Sequence, residues 1–236
     1  MDADIESLLL ITDRSVIYFD MTQNTPKEPK FRRRAEARPD EVLDAALSLF
    51  TEKGYARTTV DQVAKRAGFS KGTVYLYFAS KEAILEGLVR RTVEPVAEAA
   101  FETMADFRGD PRPVLAQFLR AMAQALAVPK TRAVVMIILQ EAPVAPNIAA
   151  LYRKSVLERA LPAMIALLAQ GVAGGHIRAI DPELTARSVI GPMIAHLLLS
   201  EVFAIRPEGG LQMDRLVENH LTLIFAGLDP PVGETP

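Results

Sequence analysis

Three short helical segments joined by tight glycine turns are the feature that most restricts the fold of this chain. We place the first helix from Pro39, a residue favoured at the first helical position, to Lys53-Gly54, a typical helix end. The residues Thr59–Gln62 read TVDQ, a capping box that opens a second helix, which Gly68 closes. A third helix follows over residues 71–78. This layout is typical of a helix-turn-helix unit.

Helical patterns continue along the rest of the chain, and strand-like alternation is almost absent. Ser80 caps a long helix that we expect to run to about Phe107, and several more helices follow. We therefore predict an all-α fold of about nine helices. The expected parts are a flexible arm over 1–36, a three-helix domain over 37–97, a helical bundle over 98–228 and a tail over 229–236.

The composition excludes several classes of protein. Half of the 236 residues are hydrophobic, which is enough for a sizeable core. With no cysteine there is neither a disulfide nor a thiolate metal site, and the three histidines lack metal-binding spacing, so we expect no metal and no cofactor. No nucleophile and base are paired in a known motif, so we do not expect an enzyme. Prolines and polar residues interrupt the apolar stretches at 160–175 and 188–204, which favours buried helices over membrane spans and a cytoplasmic location.

The net charge of −2 conceals an uneven distribution. The segment from Lys30 to Lys81 holds 11 Lys or Arg against 6 acids, a net charge of +5, so the remainder carries −7. A basic segment on an otherwise acidic protein indicates that this segment binds a polyanion.

The third helix has an unusual outer face. At 100° per residue, Val74 and Phe78 define its buried side. The opposite crest is small, and a tyrosine stands on each side of it; these positions are Gly72, Thr73 and Leu76 on the crest and Tyr75 and Tyr77 on the shoulders. A narrow crest allows a helix to lie deep in the DNA major groove, so we predict that this helix reads DNA.

Each polar group near this helix has an expected role at DNA. Thr73 is placed to hydrogen-bond a base edge, and Leu76 to meet a thymine methyl group. Phosphate contacts are expected from Tyr75 and Tyr77, from Lys71 and Lys81, and from the helix ends at Thr59 and Ser70. The basic run Arg32, Arg33 and Arg34 is either an arm that enters the minor groove or holds phosphates, or a solvated tail.

The stretch from about Ala37 to Val93, a quarter of the chain, resembles the DNA-binding domain of TetR/AcrR-family transcriptional regulators. The resemblance is carried by Gly54-Tyr55, Thr58-Thr59-Val60, Val63-Ala64, Ala67-Gly68, the run from Ser70 to Tyr75, Phe78 and Ser80-Lys81-Glu82. Such regulators usually have histidine where Tyr77 stands, and a tyrosine hydroxyl is compatible with the same phosphate contact. The resemblance implies a homodimer with a C-terminal domain that binds a small ligand, which weakens DNA binding.

The C-terminal half offers only general signals for those two roles. The last two helices, at about 182–205 and 212–227, are apolar on more than one face, as expected of a dimer interface. Candidate residues for a cavity that binds a small apolar or amphipathic effector are Phe118, Met122, Met136, Gln140, Tyr152, Met164, His196 and Phe203. His196 fits a core or interface position as well.

We therefore expect a repressor that acts as a homodimer on palindromic DNA and is released by a ligand. The alternative is a DNA-binding dimer without an effector, whose C-terminal half recruits another protein. Met21 would serve as a start of translation as well as Met1, so residues 1–20 are either part of the protein or an upstream extension.

Overall fold

The computed structural model describes residues 30–105 and 107–229, with side chains from Arg38 onward. Within these ranges the chain forms ten helices and no strand, which confirms the all-α prediction and adds one helix to it. They are α1 Lys30–Lys53, α2 Val60–Ala67, α3 Lys71–Tyr75, α4 Lys81–Thr92, α5 Glu94–Ala105, α6 Arg112–Ala127, α7 Pro129–Glu141, α8 Pro146–Ala173, α9 Pro182–Leu197 and α10 Met213–Leu228. A π-helical turn lies within α8 at Arg153–Leu157, and another extends α9 over Leu198–Val202.

The first helix begins earlier than the sequence pattern predicted. It starts at Lys30, so Pro39 lies inside the helix rather than at its first position. The residues before the proline are mainly Lys, Arg, Ala and Glu, which favour helix strongly enough to extend it backwards. The predicted end is confirmed: α1 stops at Lys53, and Gly54 adopts the left-handed conformation with φ of +85°.

The long helix expected from Ser80 to Phe107 is interrupted, which accounts for the additional helix. Ser80 caps α4 as predicted by accepting a hydrogen bond from the Ala83 amide at 3.1 Å. The helix ends at Thr92, and α5 begins at Glu94. Pro95 explains the break, because it has no N–H to donate to the carbonyl of residue 91 and its ring crowds that carbonyl.

Helices α1 to α4 form what we call the head, and α5 to α10 form the body. The head is built around apolar residues that are almost completely buried, including Val42, Phe50, Val63, Val74 and Leu88. The same cluster continues into the body through three residues of α7 and two of α8, which are Val134, Ile137, Ile138, Ile148 and Val156. The head therefore shares its core with the body instead of enclosing a separate one.

The body has a second core between α5, α6, α7, α8, α9 and α10. Its largest fully buried side chains include Leu115, Leu119, Leu168, Met193 and Leu197. By length and composition α8 could cross a membrane, and so could α6 and α7 if that pair, bent by 95°, were one span. In the structure α8 packs one side against α5 and α9 in the body core.

Gly87 lies in α4 where this helix passes close to α1. A Cβ atom at this position would lie 2.9 Å from a ring carbon of Phe78 and 3.0 Å from a methyl group of Leu43. We expect Gly87→Ala to lower the free energy of unfolding by about 1–3 kcal/mol, the usual cost of overpacking, although alanine favours helix more than glycine does. Urea unfolding measures this loss.

Gly72→Ala is the matched control in the same head. Its Cβ would meet only the Ser70 hydroxyl, at 3.8 Å, so this variant should be at least as stable as the wild type. Wild-type stability in Gly87→Ala would contradict the close packing of α4 on α1.

Candidate functional site

The predicted capping box of α2 is present with both of its hydrogen bonds. The Thr59 hydroxyl accepts from the Gln62 amide at 3.3 Å, and the Gln62 side chain accepts from the Thr59 amide at 3.1 Å. Gly68 ends the helix in the left-handed conformation, with φ of +75°. These two caps fix where the turn between α2 and α3 begins.

The third helix starts where the sequence predicted and is shorter. Ser70 caps it by accepting from the Thr73 amide at 3.1 Å, and the two hydroxyls of Ser70 and Thr73 lie 2.8 Å apart. The regular helix covers only Lys71–Tyr75 rather than 71–78. A last turn continues beyond it, because the Phe78 amide donates to the Val74 carbonyl at 2.9 Å. Because helical geometry continues to Phe78, the buried and outer faces predicted for residues 71–78 are present.

The outer face of this segment is exposed as the sequence predicted. Val74 is fully buried and Phe78 packs against the head core, whereas Leu76 is 82% exposed. The shoulder residues Tyr75 and Tyr77 are 46% and 36% exposed. An exposed leucine between two half-exposed tyrosines is an apolar crest with a hydroxyl on each side.

The two lysines predicted to contact phosphates are placed differently. Lys71 is well exposed, and its ammonium lies 3.3 Å from an exposed carboxylate oxygen of Asp61, so it remains accessible to a ligand. Lys81 donates to the backbone carbonyls of Tyr55 at 2.8 Å and Ala56 at 3.2 Å, and it lies 4.3 Å from the centre of the Tyr55 ring. Lys81 thus fixes the turn between α1 and α2, a structural role that the sequence did not indicate.

The basic run ahead of the head is described only in its backbone. Arg32, Arg33 and Arg34 belong to α1, and their side chains lie outside the described part of the structure. Their predicted contact with DNA stays a prediction.

A cavity of about 100 Å³ lies between α4, α5, α6, α7, α8 and α9. Three of the eight predicted effector residues, Phe118, Met122 and Tyr152, line it together. The sequence analysis did not identify the other lining residues, which are mostly small or aliphatic: Thr92, Val93, Val96, Ala97, Ala125, Leu126, Thr131, Val135, Val156, Leu157, Ala160 and Ile190. Such residues have no distinctive sequence signal, because the same types fill ordinary cores.

The other five predicted effector residues are not part of this cavity. Met136 and Met164 are buried in the body core, and Gln140 is exposed on α7. The His196 ring lies 2.5 Å from the Leu211 carbonyl oxygen, beside a different pocket. Phe203 follows α9 and is 64% exposed. An effector contact by these five residues stays a prediction, because helical periodicity identifies a buried face without showing whether a neighbouring helix or a cavity covers it.

Two larger surface grooves adjoin the cavity. One of about 500 Å³ runs between α5 and α6 and shares Val96, Phe118 and Ala125 with it. The other, of about 450 Å³, lies between α7 and α8 and shares Val135, Tyr152 and Leu157. The described residues that line the cavity and both grooves include no charged side chain. Burial raises the pKa of Tyr152, so its phenol is a neutral hydrogen-bonding group in an apolar wall.

The head is a helix-turn-helix unit with an exposed third helix, and it is carried on a helical body. This arrangement is typical of one class of protein, the DNA-binding transcriptional regulators. The sequence model of the bacterial regulatory proteins of the tetR family matches residues 42–88, and that of the tetracyclin repressor-like C-terminal domain matches residues 104–208. The chain belongs to the TetR family of transcriptional regulators, and it is not an enzyme.

Relatives and solved structures agree with this assignment. The HTH-type transcriptional regulator YhgD of Bacillus subtilis is 32% identical over 146 residues, which are 61% of this chain and 74% of YhgD. The HTH-type transcriptional repressor KstR2 of Mycolicibacterium smegmatis is 26% identical over 91% of this chain and 98% of its own length. SmeT, the repressor of a multidrug efflux pump of Stenotrophomonas maltophilia, superposes with a TM-score of 0.67 at 25% identity, covering 86% of this chain and 95% of SmeT.

The two lysines of the head should respond differently to loss of their charge. We expect Lys81→Met to lower the free energy of unfolding by about 1–2 kcal/mol, because two carbonyl oxygens lose a charged donor. Lys71→Met removes only an exposed ion pair and should leave stability nearly unchanged. Thermal unfolding of both variants and of the wild type measures the two losses of stability. An equal effect of the two substitutions would contradict the structural role of Lys81.

Proposed function

We propose that the protein is a transcriptional repressor that binds a palindromic operator as a homodimer in the cytoplasm and is released by an apolar effector. The observation that carries this proposal is the exposed face of the α3 segment. Leu76 is 82% exposed at the centre of this face, and an apolar side chain there suits a helix that enters a major groove and meets a thymine methyl group.

The geometry supports a division of labour at the DNA. Gly72 and Leu76 form a low crest, so the backbone of α3 can approach the bases closely. The Thr73 hydroxyl, 2.8 Å from that of Ser70, belongs to a short chain of hydroxyls that can donate or accept at a base edge. Tyr75, Tyr77 and Lys71 then contact phosphates and fix the register.

Dimerisation through α9 and α10 is supported by apolar side chains that the described part of the chain leaves uncovered. Leu184 and Leu199 are exposed along α9 and its π-helical turn, and Leu223 is exposed on α10. Gly191 and Ala195 are exposed between them on α9, where small residues allow two helices to approach closely. A second copy of the same surface would cover this face and place two heads on one palindrome.

The effector is proposed to occupy the cavity around Phe118 and Tyr152. Among the residues that the structure describes, its wall has no charged side chain and only a few hydroxyls, which favours an uncharged apolar molecule with one or two polar atoms. A complex of SmeT with triclosan, an example of a ligand bound by a related fold, has been solved. The ligand can release DNA only if it binds the released state more tightly than the DNA-bound state.

The alternative is a DNA-binding dimer without an effector, whose body recruits another protein. A thermal-shift screen separates the two, because a cavity ligand stabilises the folded protein by mass action and a pure adaptor gives no response.

The first test of DNA reading is a fluorescence-anisotropy titration against the protein's own upstream DNA and a scrambled duplex at two salt concentrations. Lys71→Ala should weaken binding to all sequences and reduce the salt slope by about 1, because one phosphate contact is lost. Thr73→Ala should instead reduce discrimination at one or two base pairs, by about 1–3 kcal/mol.

Arg90→Ala is the matched charge control, since Arg90 pairs only with Glu86 within α4 among the described residues. It should bind like the wild type. If Thr73→Ala keeps the full specificity profile, the proposed base contact is wrong. A genome-wide selection of bound fragments tests the same point for the wild type. If the selected fragments share no sequence, α3 does not recognise a specific DNA sequence.

Filling the cavity should remove the response to an effector. Ala125 lines both the cavity and the α5–α6 groove, so we expect Ala125→Leu to abolish the thermal shift caused by hits from an uncharged apolar library in which triclosan is the first probe. A ligand at 100 times its Kd would otherwise stabilise the fold by about 2.7 kcal/mol.

Ala127→Leu, at an exposed position of α6 outside the cavity, is the control and should keep the shift. An unchanged shift in Ala125→Leu would place the ligand elsewhere. DNA binding should be normal in Ala127→Leu, because Ala127 lines neither the cavity nor the two grooves.

A further inference from the structure

One carboxylate oxygen of the head is held by two cations from different helices. Oδ1 of Asp44, on α1, accepts from the Arg91 guanidinium of α4 at 2.8 Å and from the Lys130 ammonium of α7 at 3.0 Å. Arg91 also binds the Asp40 carboxylate at 3.1 Å. We call Asp44, Arg91 and Lys130 the junction, because it joins two helices of the head to one of the body.

The position of Lys130 is unfavourable without this contact. It is the second residue of α7, where the positive end of the helix dipole repels a cation. Arg91, in contrast, lies in the last turn of α4, where a cation is favoured. The Asp44 carboxylate therefore compensates a charge that α7 alone would disfavour, and α7 gains nothing from Lys130 except the link to α1.

The apolar contact between head and body needs such a link. Val134, Ile137 and Ile138 of α7 bury the head against the body, and the hydrophobic effect that holds them there has no preferred direction of its own. Charge-assisted hydrogen bonds have preferred distances and angles. Burial raises the pKa of Asp44, and the hydrogen bonds from Lys130 and Arg91 outweigh that effect and hold the pKa below its ordinary value.

The junction also adjoins the cavity. Arg91 directly precedes Thr92 and Val93, and Lys130 directly precedes Thr131, all three of which line the cavity. The two cations that share one oxygen are thus attached to two different cavity walls.

We infer that Asp44 is a positioning residue whose carboxylate fixes the orientation of the head on the body by holding Arg91 and Lys130 together. The inference rests on the proposed function in calling the head a DNA reader, and the orientation itself is independent of it. Exposed ion pairs contribute little to global stability, so the effect of Asp44 appears in geometry rather than in the melting temperature.

The absence of cysteine allows a direct test on the full chain. Lys65→Cys on α2 and Glu102→Cys on α5, both at exposed positions, carry spin labels on the head and the body. Mixing with an excess of unlabelled wild-type chain ensures that electron–electron distances arise within one chain, whether or not it dimerises. Asp44→Asn, Lys130→Met and both substitutions together are then introduced into this doubly labelled chain.

We expect a narrow distance distribution in the labelled background and a shift or broadening of several ångström in Asp44→Asn and in Lys130→Met. The double variant should resemble the single ones, because both remove the same contact. Arg90→Met, next to Arg91 but paired with Glu86 in its own helix, should leave the distribution unchanged.

An unchanged distribution in Asp44→Asn would overturn the inference, as would additive effects of the two substitutions. No DNA and no effector are used, so failure of the proposed function would be seen separately, in the anisotropy titration. Circular dichroism of each variant confirms that the helices are intact before its distances are compared.

Discussion

The arrangement of the whole chain depends on the burial of α4. Its residues Ile84, Leu85, Leu88 and Val89 are completely buried, so this short helix is covered on several sides. Its neighbours in the core are α1 and α3 of the head and α7 and α8 of the body. The segment from Lys71 to Phe78 rests on the same core through Val74 and Phe78. A change in the direction of α4 must therefore be accommodated by this segment, by the body, or by both, since cores pack too densely to absorb it.

The helix boundaries between Gly54 and Ser80 could be predicted from the sequence because the signals for them are local. Thr59, Ser70 and Ser80 each cap the helix that follows them, and Gly54 and Gly68 adopt the left-handed conformation that ends a helix. A cap needs only residues within four positions, so sequence spacing is enough to identify it. The exposed crest of α3 was predicted for the same reason, since periodicity alone separates the face with Val74 from the face with Leu76.

Two kinds of feature were not predicted in this way. The first is the start of α1, where the helix-favouring residues before Pro39 outweighed the preference of proline for the first helical position. The second is any feature that depends on residues distant in the sequence. The cavity is lined by alanines, valines and leucines from six helices, which look like any core residues until the helices are assembled. The charge of Lys81 predicted a contact with a DNA phosphate. Its contacts in the structure are backbone carbonyls 25 and 26 positions away in the chain, which the sequence does not indicate.

The cavity and the junction together suggest why the break at Pro95 matters. An unbroken helix from Ser80 would join the head rigidly to α5, and the cavity walls could not move without bending it. With the break at Val93, α4 ends where the cavity begins, and the Val93 amide still donates to the Val89 carbonyl at 2.8 Å to complete the helix. A ligand in the proposed cavity that displaced Val93 would therefore act on the end of α4, two residues from Arg91. On that proposal, the break at Pro95 would allow the cavity wall to move without bending one continuous helix.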